Sequence, residues 1–133
     1  MRFRFSSAPC YNDSMTDPEV SESLFARIVR GEIPVAPVYE DEWVLAFPDI
    51  APQAPVHVLV VPKTPVRNVL ALTDADATMA GRLLLACAEV ARRMGIDGDG
   101  CRVVLNTGEN GGQSVPYLHA HVLGGRALEW PPG

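Results

Sequence analysis

Five short runs of β-branched and apolar residues, mostly separated by short connections, restrict the fold of this chain more than any other feature. The runs span residues 37–40, 43–47, 57–61, 102–106 and 118–123. Parallel strands need a crossover of about a dozen residues or more, and most of these connections are shorter. The exception, between residues 61 and 102, has room for a helix. The sequence therefore predicts a largely antiparallel five-stranded sheet.

Two segments have the pattern of helices. The longer one starts at Thr73, with Asp76 placed as in a capping box, and it ends at Gly95. Its apolar residues recur at helical spacing: Met79, Leu83, Cys87, Val90 and Met94. The shorter helix is predicted from Ser23 to Gly31. In a chain of 133 residues, this set of elements indicates one α+β domain.

Charge and cysteine content narrow the classes of function. A net charge of −5 argues against nucleic-acid binding driven by bulk electrostatics, although local donors can still hold a single phosphate. No apolar run is long enough to span a membrane. Three cysteines without metal or redox spacing favour a reducing compartment, which we expect to be the cytoplasm or the nucleus.

The first part of the chain is predicted to lie outside the domain. Residues 1–20 are expected to form a flexible leader, and residues 21–133 the folded domain with its C-terminal tail. The opening residues are basic and include serines, but acidic residues follow within the same segment. Organellar targeting by the leader is therefore not expected.

Two of the three histidines are spaced two residues apart on a predicted strand. Alternate side chains of a strand point to the same face, so Tyr117, His119 and His121 are expected to project together. Taken alone, this pattern is more often a pair of surface imidazoles than a site.

The preceding loop favours a site. Gly111, Gly112, Gln113 and Ser114 are expected to present main-chain N–H groups and a hydroxyl to a phosphate. A neutral imidazole attacks phosphorus through one ring nitrogen, so His119 is a candidate nucleophile. His121 is expected to be partly protonated and to stabilise charge on the phosphate oxygens.

The segment from Gly111 to Arg126, Gly-Gly-Gln-Ser-Val-Pro-Tyr-Leu-His-Ala-His-Val-Leu-Gly-Gly-Arg, resembles the signature of the histidine triad (HIT) superfamily. The tail Trp130-Pro131-Pro132-Gly133 and the segment from Phe25 to Pro34 resemble its Hint branch, the histidine-triad nucleotide-binding proteins. The resemblance covers the chain from about Ser23 to Gly133. It implies a homodimer with a continuous sheet, and hydrolysis of the P–N bond of purine nucleoside phosphoramidates.

The resemblance also assigns roles to residues. His119 matches the nucleophile, His121 the last histidine of the triad, and His57 a further histidine at the site. Asn106 and Ser114 match polar residues on the phosphate side. The nucleoside is expected to contact Asp49 at the ribose and three apolar residues at the base, namely Ile33, Phe47 and Ile50. The Trp130 tail is expected to lie near the partner's site.

Two positions depart from the family pattern. Tyr117 stands where the first histidine is usual, and it is expected to orient His119 through its neutral hydroxyl. A Tyr117→His change is accordingly expected to raise turnover. Pro48 stands where close relatives carry a polar residue, so base preference is expected to differ.

Two other functions compete with the enzyme. One is a nucleotide-binding regulator or scaffold with weak catalysis, since Tyr117 replaces a triad histidine. The other is a zinc protein with His57, His119 and His121 as ligands, although structural zinc sites usually have four nitrogen or sulfur ligands. Read without the resemblance, His57 is more often a satisfied core histidine. The favoured interpretation needs no metal and no cofactor.

Overall fold

The computed structural model describes residues 16–133 and contains one five-stranded sheet. Its strands are β1 (Tyr39–Glu40), β2 (Val44–Pro48), β3 (Val56–Pro62), β4 (Cys101–Val104) and β5 (Ala120–Gly124). Its helices are α1 (Pro18–Ser21), α2 (Leu24–Val29) and α3 (Ala77–Arg93), with 3₁₀ turns at Val69–Ala71 and Asp74–Asp76. The α+β fold with an antiparallel five-stranded sheet is confirmed.

The strands lie in the order β1-β2-β3-β5-β4, and every neighbouring pair is antiparallel. Because β3 and β4 both pair with β5, they run in the same direction, and the chain between them contains α3. The long connection thus joins two consecutive strands that run in the same direction, and such strands need a long crossover.

The predicted capping box is present, but it begins the 3₁₀ turn Asp74–Asp76 that leads into α3, and α3 itself begins at Ala77 rather than after Thr73. The Thr73 N–H donates to the Asp76 carboxylate over 2.9 Å, and Gly95 follows the helix with a φ of +72°. Its apolar face packs on one side of the sheet with core residues that include Leu83, Val60 and Val122.

The other side of the sheet is covered by the N-terminal helices. Phe25 and Ile28 of α2 pack with Phe47, Leu59 and Tyr117. Ser23 caps α2 through its side chain, which accepts the Ala26 N–H over 3.3 Å. The candidate site lies on this side.

Two expectations about element boundaries need correction. The leader was expected to reach residue 20, but Pro18–Ser21 forms a third helix, Val20 is fully buried, and Asp17 pairs with Arg67 at 2.7 Å. The rest of the expected leader, residues 1–15, lies outside the described residues. Strand β5 begins at Ala120 rather than at residue 118, because the Leu118 N–H leaves the ladder and donates to the Val66 carbonyl.

Across residues 16–133, no helix combines the length and apolar character needed to cross a bilayer.

Candidate active site

Strand register places the three histidines on one face of the sheet. His121 lies opposite Leu59, and His57 lies opposite Leu123, in the central β3–β5 pair. His119 is the residue just before β5. The ring centroids of His57 and His119 lie 5.1 Å and 5.0 Å from that of His121. The expected clustering of these histidines is therefore present in the structure.

Hydrogen bonds determine which ring nitrogen of His57 carries its proton. The Gln53 N–H donates to His57 Nδ1 over 3.0 Å, so a neutral His57 carries its proton on Nε2. His57 Nε2 lies 2.8 Å from His121 Nδ1 and 3.4 Å from Asp49 Oδ2. His57 therefore donates to His121, and the proton of neutral His121 is on Nε2.

His119 is held in the complementary arrangement. Its Nδ1 lies 2.7 Å from the Tyr117 main-chain carbonyl, which can only accept, so Nδ1 is protonated. The Phe25 ring packs edge-on against the imidazole with centroids 4.8 Å apart. Nε2 is left as a lone pair with no hydrogen-bond partner among the described residues. This is the form of imidazole that acts as a nucleophile.

Burial favours the neutral form of the two motif histidines. Desolvation lowers the pKa of His119, against the opposing effects of the Tyr117 carbonyl and Asp49. Desolvation, with the neighbouring His119 and His57, lowers the pKa of His121 from 6.5 to about 4. Burial therefore opposes the expected partial protonation of His121 near neutral pH. His121 can instead donate a hydrogen bond as a neutral imidazole.

A cavity of about 310 Å³ opens onto these histidines. This volume is at the lower end of the range for small-molecule sites. Four predicted nucleoside contacts line it, namely Ile33, Phe47, Asp49 and Ile50, together with Ser114, His119 and His121. Phe47 is buried, whereas Ile50 is 99% exposed and stands at the mouth. The walls are mainly apolar, and the polar lining residues are Asp49, Ser114, His119 and His121.

The glycine loop differs from the expected phosphate cradle. The Gly112 N–H donates to Glu109 O, and the Gln113 N–H donates to Gly108 O, so both are used within the loop. The Gln113 side chain donates to the carbonyls of Arg67 and Val115. Gly112 and Gln113 therefore shape the loop, and neither lines the cavity.

Ser114 is the member of this loop that reaches the cavity. Among the described residues, neither its hydroxyl nor its N–H has an intramolecular partner. Of the donors expected from this loop, those of Ser114 are the ones on a residue that lines the cavity.

Asn106 lies outside the histidine cavity. It lines a neighbouring groove of about 560 Å³, together with Gln53, Arg102 and Trp130 of the tail. Trp130 is 81% exposed. In this single chain, the expected phosphate contact of Asn106 is therefore not formed by the cavity walls.

The Tyr117 side chain does not touch His119 through its hydroxyl. The hydroxyl donates to the Pro62 carbonyl, and the side chain is fully buried, which raises its pKa. The bond that orients His119 comes from the main chain of residue 117, which any residue supplies. The expected positioning role therefore belongs to the Tyr117 carbonyl, and the hydroxyl serves the fold.

The metal-ligating geometry also differs from the zinc alternative. The possible ligand atoms of Asp49, His57 and His121 lie within 4.8 Å of one another, and His119 is not part of this group. A metal on His57 Nε2 would displace the proton to Nδ1, where the Gln53 N–H already points. The donor set therefore fits a metal poorly.

Two residues of the site were not identified from the sequence. Phe25 belongs to a helical stripe that indicated only a core face, yet its ring packs on His119. Gln53 acts through its main chain, and a proline-rich loop carries no sequence signal for that bond.

Comparisons with known proteins identify relatives of the whole domain. Two uncharacterized HIT-like proteins, from Synechococcus elongatus and Synechocystis sp., are 51% and 52% identical over 112 residues, which are 84% of this chain and 97% of each relative. The structure of a HIT family hydrolase from Legionella pneumophila superposes with a TM-score of 0.80 at 42% identity, covering 83% of this chain and 98% of that chain. A histidine triad protein from Clostridium difficile gives 0.78 at 40% identity, covering 81% and 94%.

The HIT domain pattern itself matches residues 30–128. That span contains the three histidines and Ser114. The chain is a member of the HIT domain family.

Proposed function

We propose that the protein hydrolyses the P–N bond of purine nucleoside phosphoramidates through a nucleotidyl-histidine intermediate, as in the Hint branch. The observation that carries the proposal is the Nε2 of His119, which has no hydrogen-bond partner within residues 16–133, on a residue that lines a mainly apolar cavity. The HIT family hydrolase from Legionella pneumophila supports hydrolysis as the reaction class.

In the first step, His119 Nε2 forms a bond to phosphorus and the P–N bond breaks. The imidazole then becomes positively charged, and the Tyr117 carbonyl accepts its Nδ1–H over 2.7 Å. That dipole stabilises the charge as it develops. The leaving amine takes a proton from a donor on the cavity side.

Two donors of this chain suit that position. One is the hydroxyl of Ser114, which lines the cavity. The other is the Nε2–H of His121, which is free to donate because His121 contacts His57 through its other ring nitrogen, Nδ1. In the second step, water attacks phosphorus, the P–Nε2 bond breaks, and the proton lost by the water restores the donor. The products are a nucleoside monophosphate and an amine, and no metal is required.

The apolar end of the cavity suits a nucleobase. Ile33 and Phe47 form walls against which a purine can pack, and Ile50 at the mouth can cover it. Asp49 suits the ribose hydroxyls, with its Oδ1 also accepting the Ala51 N–H over 2.8 Å. Pro48 lines the same cavity and offers no side-chain hydrogen bond, which favours loose discrimination between purines.

We further propose a homodimer joined through β4. Strand β4 is an edge of the sheet, and Val103 on it is 39% exposed. Leu84 and Leu85 of α3 are also exposed. A second copy that pairs with β4 would continue the sheet and bring the Trp130 tail toward the partner's site.

We also keep the prediction of a cytoplasmic or nuclear location. Cys87 and Cys101, the cysteines within the described residues, are free thiols, which suits a reducing compartment.

Steady-state release of AMP from adenosine 5′-monophosphoramidate tests the activity. The parent protein should turn over with and without a chelator, and His119→Asn should lose several orders of magnitude in kcat while it still binds AMP. Tight AMP binding without turnover by the parent would select the regulatory alternative. Turnover abolished by the chelator would select a metal mechanism.

A further inference from the structure

The C-terminal segment contacts the loop that anchors His57. Arg126 follows β5 and does not line the histidine cavity. Its guanidinium Nη2 donates to the main-chain carbonyl of Gln53 over 3.0 Å. The N–H of the same Gln53 donates to His57 Nδ1, also over 3.0 Å. Gln53 is thus bonded through its N–H to a site histidine and through its carbonyl to the C-terminal segment.

The same two segments approach each other closely at Gly125 and Pro55. Gly125 has a φ of +90°, and a Cβ added there would lie 2.8 Å from Pro55 Cβ. Within the loop, the Gln53 side chain donates to Ala51 O over 3.0 Å. Displacement of the C-terminal segment would therefore move the Gln53 main chain.

We propose that Arg126 is a positioning residue for the histidine site. By holding the Gln53 main chain, it keeps the Gln53 N–H on His57 Nδ1 and so keeps the proton of His57 on Nε2, where it donates to His121. The consequence for turnover rests on the proposed function. The consequence for the ring protons does not.

The proton arrangement follows from the order of the bonds. If the Gln53 N–H moves away, His57 can carry its proton on Nδ1, and the lone pair of its Nε2 then faces His121. His121 must in turn place its proton on Nδ1, 2.8 Å from that lone pair. Its Nε2, the ring nitrogen that does not contact His57, would have no proton to donate to a substrate oxygen or a leaving amine.

Ring ¹⁵N NMR of the free protein measures this arrangement directly, because the chain has only three histidines. The parent should show unprotonated Nδ1 and protonated Nε2 in both His57 and His121. Arg126→Met removes the donor at similar length, and it should move both rings toward a mixture of tautomers. Arg126→Lys keeps a donor and should restore part of the parent pattern.

Arg102→Met is the matched control. Arg102 also donates to a main-chain carbonyl of the C-terminal segment, that of Glu129 over 2.6 Å, but it does not contact Gln53. The histidine ring ¹⁵N signals of Arg102→Met should match those of the parent. In turnover of the phosphoramidate, Arg126→Met should lower kcat roughly threefold to tenfold, in line with the loss of one hydrogen bond, and leave KM unchanged.

The proposal is overturned if His57 is protonated on Nδ1 in the parent. It is also overturned if Arg126→Met leaves the ring signals unchanged, or if Arg102→Met changes them to the same extent. If the phosphoramidate is not a substrate at all, the proposed function fails, while the ring signals still decide the role of Arg126.

Discussion

At the residue scale, the side chain of Tyr117 stabilises the fold, although the residue stands at a position where the family usually has a triad histidine. The β3–β5 pairing ends at Val60 and Ala120, and the Leu118 N–H bonds elsewhere. The Pro62 carbonyl therefore has no ladder donor from β5, and the Tyr117 hydroxyl takes that place. The buried tyrosine ring also packs edge-on with Phe25, at a centroid distance of 6.4 Å. These contacts explain a tyrosine at this position without any role in catalysis.

Substitution of Tyr117 should therefore change stability more than rate. Tyr117→Phe leaves the buried Pro62 carbonyl without its donor, and we expect a loss of about 1–3 kcal/mol in the free energy of unfolding. Because the main-chain carbonyl still orients His119, kcat should stay within about threefold of the parent, a change of less than 1 kcal/mol in the barrier. Urea denaturation and steady-state kinetics measure the two effects.

The burial of Tyr117 and its bond to Pro62 also change the expected result of Tyr117→His. A histidine there would be buried and would lose the geometry of the Pro62 bond, so turnover should not rise. A clear increase in kcat for Tyr117→His, or a large loss for Tyr117→Phe, would show that the side chain acts in catalysis.

The depressed pKa of His121 should appear in the pH dependence of stability. Its pKa is 6.5 when unfolded and about 4 in the folded chain, so between these values the unfolded chain binds more protons. The contribution of neutral His121 to the free energy of unfolding is complete above pH 6.5, and it is lost as the pH falls through the folded pKa of about 4. We expect the titration of His121 to lower the free energy of unfolding by roughly 2–3 kcal/mol between pH 6.5 and pH 4.

His121→Asn provides the control for this titration. Its amide oxygen can accept from His57 Nε2 in place of Nδ1, but it does not titrate. Urea denaturation between pH 7 and pH 4 should give a shallower decline for His121→Asn than for the parent. Parallel declines for the two proteins would contradict the depressed pKa.

At the element scale, the five strands and the two longer helices could be predicted from the sequence, whereas helix α1 and the contacts within loops could not. Alternating apolar residues located β5, and the capping box located the 3₁₀ turn that leads into α3, because both patterns are local. The roles of Gly112 and Gln113 depend on which partners the folded chain brings to them. The sequence of the glycine loop therefore indicates where the site lies, but it does not show that the N–H groups of Gly112 and Gln113 are bonded within the loop.

The Gln113 side chain is expected to fix the position of Ser114. Gln113→Glu keeps an oxygen for the Gly108 N–H but loses both bonds to the carbonyls of Arg67 and Val115. Two carbonyl oxygens would then face a carboxylate, which is unfavourable. We expect KM for the phosphoramidate to rise about tenfold or more, which corresponds to about 1.4 kcal/mol.

Glu109→Gln is the control in the same loop. Glu109 is exposed, and its main chain rather than its side chain accepts the Gly112 N–H. This variant should keep the parent KM. Equal KM values for Gln113→Glu and the parent would mean that the loop holds Ser114 without Gln113.

At the scale of the whole molecule, the edge strand determines the expected assembly. The exposed Val103 lies opposite Val122 in the β4–β5 pair, so its side chain points to the face that α3 covers elsewhere. A charge there should weaken pairing of two β4 strands. We expect the parent to migrate as a dimer and Val103→Asp as a monomer in size-exclusion chromatography with light scattering.

Arg82→Asp tests whether any new surface charge has the same effect. Arg82 is an exposed residue of α3 and lies outside the proposed β4 contact. That variant should remain dimeric. A monomeric parent, or a dimeric Val103→Asp, would contradict assembly through β4.

The central claim is that His119 Nε2 becomes covalently bonded to phosphorus during turnover. Rapid mixing with adenosine 5′-monophosphoramidate, a denaturing alkaline quench and peptide mass spectrometry measure this directly. We expect a nucleotidyl adduct on the peptide that contains His119, present in the parent within the first turnover and absent from His119→Asn. Turnover without any adduct, or an adduct on His57 or His121 instead, would contradict it.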